Sequence, residues 1–142
     1  MRRPVFVAGR GAVSGFGLGV KALCDGVFAG QTALQPRVRT GHHEVATTVV
    51  GEIPAGTFEQ DIDENELPRH ASLVATEEAF AEAGDPDPKR MGLVLATTKA
   101  NMSGICGEGR GLGSPMFLAR QISNDLNLGL PPSALSVACA SG

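Results

Sequence analysis

The segment Ser136-Val-Ala-Cys-Ala-Ser-Gly142 sets one thiol, Cys139, just past a short run of small apolar residues. A cysteine acts as a nucleophile through its thiolate, and the unpaired N–H groups of a helix starting beside it favour that form and can hold an oxyanion. The same residues fit a plainer role, in which a cysteine between alanines is a small buried hydrophobe. Residue types alone leave both open. Cys24 and Cys106 share no CxxC spacing with Cys139 or with each other, which argues against a zinc site or a disulfide framework and fits a reducing compartment.

Other candidate constellations resolve into structure rather than chemistry. Gly9 and Gly11 begin a G-x-G-x-x-G pattern, but Ser14 holds the third glycine's place and no acidic residue closes a second strand downstream, so tight turning explains them better than dinucleotide binding. Gly104, Gly107, Gly109, Gly111 and Gly113 are not followed by Lys-Ser or Lys-Thr, which excludes a phosphate loop and leaves a flexible, close-packed loop. His42, His43 and His70 fall in a polar loop and at a helix start, where surface histidine is the ordinary reading. Glu59, Asp61, Asp63, Glu64 and Glu66 lack the glycine and terminal glutamate of a calcium loop and read as a solvated face.

The elements that must position Cys139 follow from periodicity. Val5–Ala8 reads as a strand buried on both faces. Val20, Leu23, Cys24 and Val27 recur at helical spacing within 17–29, with Gly30 closing the helix, which makes Cys24 a core side chain. Residues 31–44 read as a polar loop, Val45–Ile53 as a strand stopped by Pro54, and 54–69 as a surface connection. His70–Ala83 is a helix with Leu73, Thr76, Phe80 and Ala83 on one face and Gly84 as its cap. After the breaker Asp85-Pro-Asp-Pro, Met91–Ala96 is a strand. Ser114 and Pro115 open a helix whose stripe is Leu118, Ala119, Ile122 and Leu126 and which runs to Gly129, and Ala134–Ala138 is the last strand. This alternation predicts an α/β fold with a mainly parallel sheet between helical layers.

Composition narrows the function classes. A charge of −3 offers no basic field for phosphates, which excludes nucleic acid as a partner. The apolar run after Met-Arg-Arg breaks at Gly9 and Arg10, too soon for a signal peptide or a membrane span, and the expected setting is the cytoplasm with no membrane partner. The 142 residues suit one domain.

Four segments in order resemble β-ketoacyl synthases of the elongating type that work on acyl carrier protein. Ser136–Gly142 resembles their active-site cysteine motif, Val5–Gly17 their opening strand and loop, residues 69–84 their Ala-rich helix, and Arg90–Thr98 the strand after it. Val137 stands where that family commonly has threonine. The resemblance implies a thiolase-like layered αβαβα fold, with residues 1–142 forming the amino-terminal part of one synthase domain, the first half of the duplicated unit and incomplete here. It implies an acyltransferase performing decarboxylative Claisen condensation in fatty acid or polyketide synthesis. Cys139 would accept the acyl group and its own N–H would form part of an oxyanion hole. Two histidines would come from a carboxyl-terminal half or a second chain. The partner would be acyl carrier protein bearing acyl or malonyl phosphopantetheine, and no metal or cofactor is needed. Met102 and Ile105 would line an acyl tunnel near the interface of a homodimer or heterodimer. Two alternatives stay open: a noncatalytic chain-length subunit, although such subunits typically lack the cysteine, and a thiolase-fold acyltransferase or hydrolase using Cys139. A carboxylate at Gly142 would sit close to Cys139 and raise its pKa, so the expectation is a truncated sequence or a backbone break there, with a companion segment.

Overall fold

The computed structural model describes residues 4–40, 45–63, 65–98, 100 and 113–137. They divide into two compact units, one formed by 1–61 with 74–82 and the other by 62–73 with 83–142.

In the first unit, β1 (Val13–Ser14) and β2 (Gly17–Leu18) form a minimal antiparallel pair that leads straight into α1 (Gly19–Phe28). The helix therefore begins two residues later than its apolar stripe predicts, because Gly17 and Leu18 are used in pairing. Gly30, at φ +66°, ends it: Gly30 donates to the Val27 carbonyl at 3.1 Å and Gln31 to the Gly26 carbonyl at 3.0 Å, closing a Schellman cap. Val20, Leu23 and Cys24 are only half-buried, so Cys24 is not the core side chain its spacing predicts, and Val27 is exposed. Glycine at position 26 is required by its neighbour, since a β-carbon there would lie 2.3 Å from the Phe16 ring.

β3 (Leu34–Thr40) and β4 (Val45–Gly51) form a seven-residue antiparallel ribbon in which Pro36 faces Val49 and Val38 faces Thr47. The reading of 31–44 as loop is thus corrected over Leu34–Thr40. Pro36 and the arginines disguise a strand whose alternate residues, Leu34, Pro36 and Val38, share one face. A larger correction concerns Val5–Ala8, which is not a strand: Val5, Phe6 and Val7 are 95%, 80% and 82% exposed, and no described segment supplies the ladder a strand requires.

α2 (Leu67–Ala83) contributes residues to both units and starts three residues earlier than predicted, because Pro68 is tolerated in a first turn. Its predicted face is half-buried, and Gly84 at φ +82° follows it. In the second unit Asp63 prepares its start, accepting from the Asn65 N–H through its side chain at 2.8 Å and from Glu66 and Leu67 through its carbonyl. The acidic stretch therefore includes a helix-start device, and Glu66 is ion-paired to Arg69 at 2.8 Å.

The rest of the second unit holds the aliphatic core. A 3₁₀ turn at Pro88–Arg90, capped by Asp87, precedes β5 (Val94–Ala96), which pairs in parallel with β6 (Ser133–Leu135). β5 is shorter than the Met91–Ala96 expected. Its approach is still held to the approach of β6 by backbone bonds from Gly129 to Pro88, Leu130 to Met91 and Ser133 to Leu93, at 3.0, 3.0 and 2.8 Å. Between the strands, α3 (Pro115–Asp125) packs on both and buries Leu118, Ala119 and Ile122, as its periodicity predicts. Ser114 is its N-cap residue, though the hydroxyl makes no cap bond. The helix stops before Gly129 because Asn127 adopts φ +53°, and Asn127 and Leu128 donate to the Asn124 and Ser123 carbonyls in a second Schellman cap. Opposite the last turn, Arg69 grips Asp125 with two nitrogens at 2.6 and 2.8 Å; Asp125 first and Glu66 second hold the guanidinium charged.

Among the described residues the expectation of a mainly parallel sheet is met at one pair alone. β1–β2 and β3–β4 are antiparallel; β5–β6 is parallel.

Candidate functional site

Strands β5 and β6 run the same way, so their carboxyl ends lie side by side, which is where open α/β sheets carry their chemistry. Past Ala96, the Thr97 N–H donates to the Leu135 carbonyl at 3.0 Å and adds a rung to the ladder. The next rung is made by a side chain, the Ser136 hydroxyl donating to the Thr98 carbonyl at 3.3 Å. Thr97 also turns the chain away from β5, its Oγ1 accepting from the Ala100 N–H at 3.0 Å while Ala100 takes the left-handed φ of +50°. An alanine there carries a cost of about 1 kcal/mol or more, which the threonine bond offsets. Thr97, Thr98 and Ser136 thus join the exits of the two strands. Sequence reasoning missed this link, although a paired threonine after one strand and a serine three residues before Cys139 were visible.

Of the predicted site residues, Cys139, Met102 and Ile105 lie outside the described residues, as do Cys106, His42, His43 and the glycines from 104 to 111. Gly113, the last of that series, is buried just before α3. Val137, two residues before Cys139, is 61% exposed. Val94, Ala96 and Leu135 are exposed too, while the alternate residues Leu95 and Ala134 are half-buried, so one face of this two-stranded sheet, apolar apart from Ser133, is open among the described residues. His70 is half-buried in the first turn of α2. Cys24 is a half-buried helix residue in the first unit.

That unit also has a recess of about 370 Å³ lined by Gln35, Pro36, Arg37 and residues 52–55. Arg37 and Glu52 pair across it at 2.5 Å, and it contains no nucleophilic side chain.

Comparison with solved structures finds a match over 97% of the chain to the ishigamide ketosynthase/chain length factor, at 18% identity and a TM-score of 0.67. The fold is ketosynthase-like. The chain spans 40% of the length of that solved chain. No family model matches the sequence, and no curated protein matches it. The mixed α/β architecture expected from the sequence is therefore supported at the level of fold. No helix among the described residues is long and apolar enough to cross a membrane.

Proposed function

We propose that the chain is the amino-terminal part of a β-ketoacyl synthase, the first half of a duplicated αβαβα unit, with Cys139 as its acyl-accepting nucleophile. The observation that carries this reading is the joint exit of β5 and β6. The motif Ser136–Gly142 follows one strand and the segment with Met102 and Ile105 follows the other, on a fold that matches a ketosynthase/chain length factor. In this reading the Cys139 thiolate attacks an acyl-carrier thioester and forms an acyl-enzyme, releasing the carrier thiol. A malonyl unit then loses carbon dioxide, and its carbanion attacks the acyl-enzyme and regenerates the thiolate. The Cys139 N–H supplies one oxyanion contact, a kind worth roughly 3 kcal/mol. The remainder of the protein, or a second chain, supplies two histidines and covers the open apolar face of β5–β6. Acyl carrier protein, a dimeric assembly and a cytoplasmic setting belong to the same proposal.

A second reading, a noncatalytic chain-length subunit, is favoured by the neighbour's name, which joins ketosynthase and chain length factor. Retention of Cys139 tips the choice towards catalysis. The two are separated by peptide mapping after brief exposure of the complete protein to a thiol-directed acyl analogue. Catalysis requires labelling of Cys139 ahead of Cys24 and Cys106, with acyl-enzyme lost in Cys139→Ala and the fold kept. Labelling led by Cys24 or Cys106 would sink it.

A further inference from the structure

Helix α1 lacks a cap of its own, since the Leu18 side chain at its N-cap position makes no hydrogen bond. The first four N–H groups of a helix need partners. Here the Val20 N–H finds one far away in sequence, donating to Oε1 of Glu78 at 2.9 Å. The other oxygen of the same carboxylate, Oε2, accepts from the Ala12 N–H, also at 2.9 Å. Between those two donors the chain closes on itself, the Gly19 N–H donating to the Ala12 carbonyl at 2.8 Å. Glu78 thus binds both sides of the neck of a loop that contains β1 and β2.

Two neighbours on α2 complete the arrangement. Positions 75, 78 and 82 share one helix face. A β-carbon on Gly11 would fall 1.7 Å from the Ala75 carbonyl oxygen, so backbone lies directly on backbone there. Glu82 accepts from the Arg10 N–H and from its guanidinium, each at 2.5 Å. Two carboxylates four residues apart weaken an isolated helix. Three main-chain N–H groups and one guanidinium from residues 10–20 offset that repulsion, so the segment and α2 stabilise each other.

We infer that Glu78 is a two-oxygen latch, and that residues 10–20 with α1 open and close on α2 as one unit whose fastening is this carboxylate. The latch needs a carboxylate and not merely an acceptor. Glutamine offers one oxygen and an NH₂, so it satisfies one N–H and sets a donor against the other. This device involves neither Cys139 nor the β5–β6 exits and does not depend on the catalytic reading.

Amide hydrogen exchange on the complete protein tests it. In the parent, Ala12 and Val20 are expected to share one opening equilibrium after correction for intrinsic rates. Glu78→Gln should speed exchange at both together, by roughly ten- to a hundredfold for a lost charge-assisted bond. Alkylation of Cys24, which rides on α1, should quicken by a similar factor in the same variant. Glu82→Ala should free the Arg10 amide while leaving Ala12 and Val20 within about threefold of the parent, since local openings are cooperative only within a unit. A Glu78→Gln protein that leaves both amides unchanged, or speeds only one, overturns the latch. If that variant does not fold, the parent alone decides: unequal opening of Ala12 and Val20 refutes a single unit.

Discussion

The two units are held together by different physics. In the second, α3 seals Leu118, Ala119 and Ile122 against the parallel pair β5–β6, and the polar bonds around this core fix its ends. In the first, Gly26 is the one fully buried residue among those described, while Phe28 is 87% exposed and Leu34, Val38 and Val49 are exposed as well. Its cohesion comes from carboxylates on α2, from glycines that let backbones touch, and from the β3–β4 ladder. A unit with few buried methylenes resists small apolar truncations and fails at a displaced backbone; an aliphatic core does the reverse.

The sharpest way to break this contrast is Ile122→Ala. Ile122 is 1% exposed, and its truncation should cost about 2–5 kcal/mol of stability, read from urea denaturation of the complete protein. A loss below about 1 kcal/mol would mean that α3 is not the anchor of its unit. Next comes Gly11→Ala, which adds a single methyl yet must lift the loop from Ala75; about 1–3 kcal/mol is expected from the forced backbone shift. Calorimetry that found Gly11→Ala neutral would place the loop farther from α2 than described.

The smallest expected effect concerns acid. The Arg10 guanidinium and N–H hold the Glu82 carboxyl below the usual glutamate range, chiefly through hydrogen bonds. Its ionised form is favoured in the folded state, so its stabilisation is complete above that range and is lost as pH falls through the lowered folded value. The pair is solvent-exposed, so the change in stability is slight. Carbon-detected NMR should show Glu82 titrating below the usual glutamate range, and Arg10→Ala, which removes the guanidinium but keeps the main-chain N–H, should move it part of the way back. An unmoved titration in Arg10→Ala would assign the effect to another group.

Legibility in the sequence followed the same division. The stripe of α3, the caps at Gly30 and Gly84, and the existence of β4, β5 and β6 were readable because each rests on local periodicity or on a residue with special backbone freedom. Val5–Ala8 was misread because an apolar run reports a wish for burial and not the presence of a ladder partner. β3 was hidden by Pro36, and the end of α3 by a search for glycine where Asn127 does the turning. The link among Thr97, Thr98 and Ser136 escaped because it joins residues distant in sequence, and no spacing rule connects them. The thiol itself is flagged by motif alone.

The parallel pairing of β5 with β6 carries a kinetic consequence. Its partners are about forty residues apart in sequence, whereas β3 and β4 are near neighbours joined across a short connection. Closing the longer loop costs entropy before any rung rewards it, and a helix must form inside the closure and dock with the right-handed sense that parallel crossovers demand. Isolated helices and hairpins assemble in microseconds. Loop-closure entropy therefore favours the β3–β4 ribbon and a nascent α3 before the strand pair, and by this reasoning the exits after β5 and β6 are expected among the later parts of the chain to take shape.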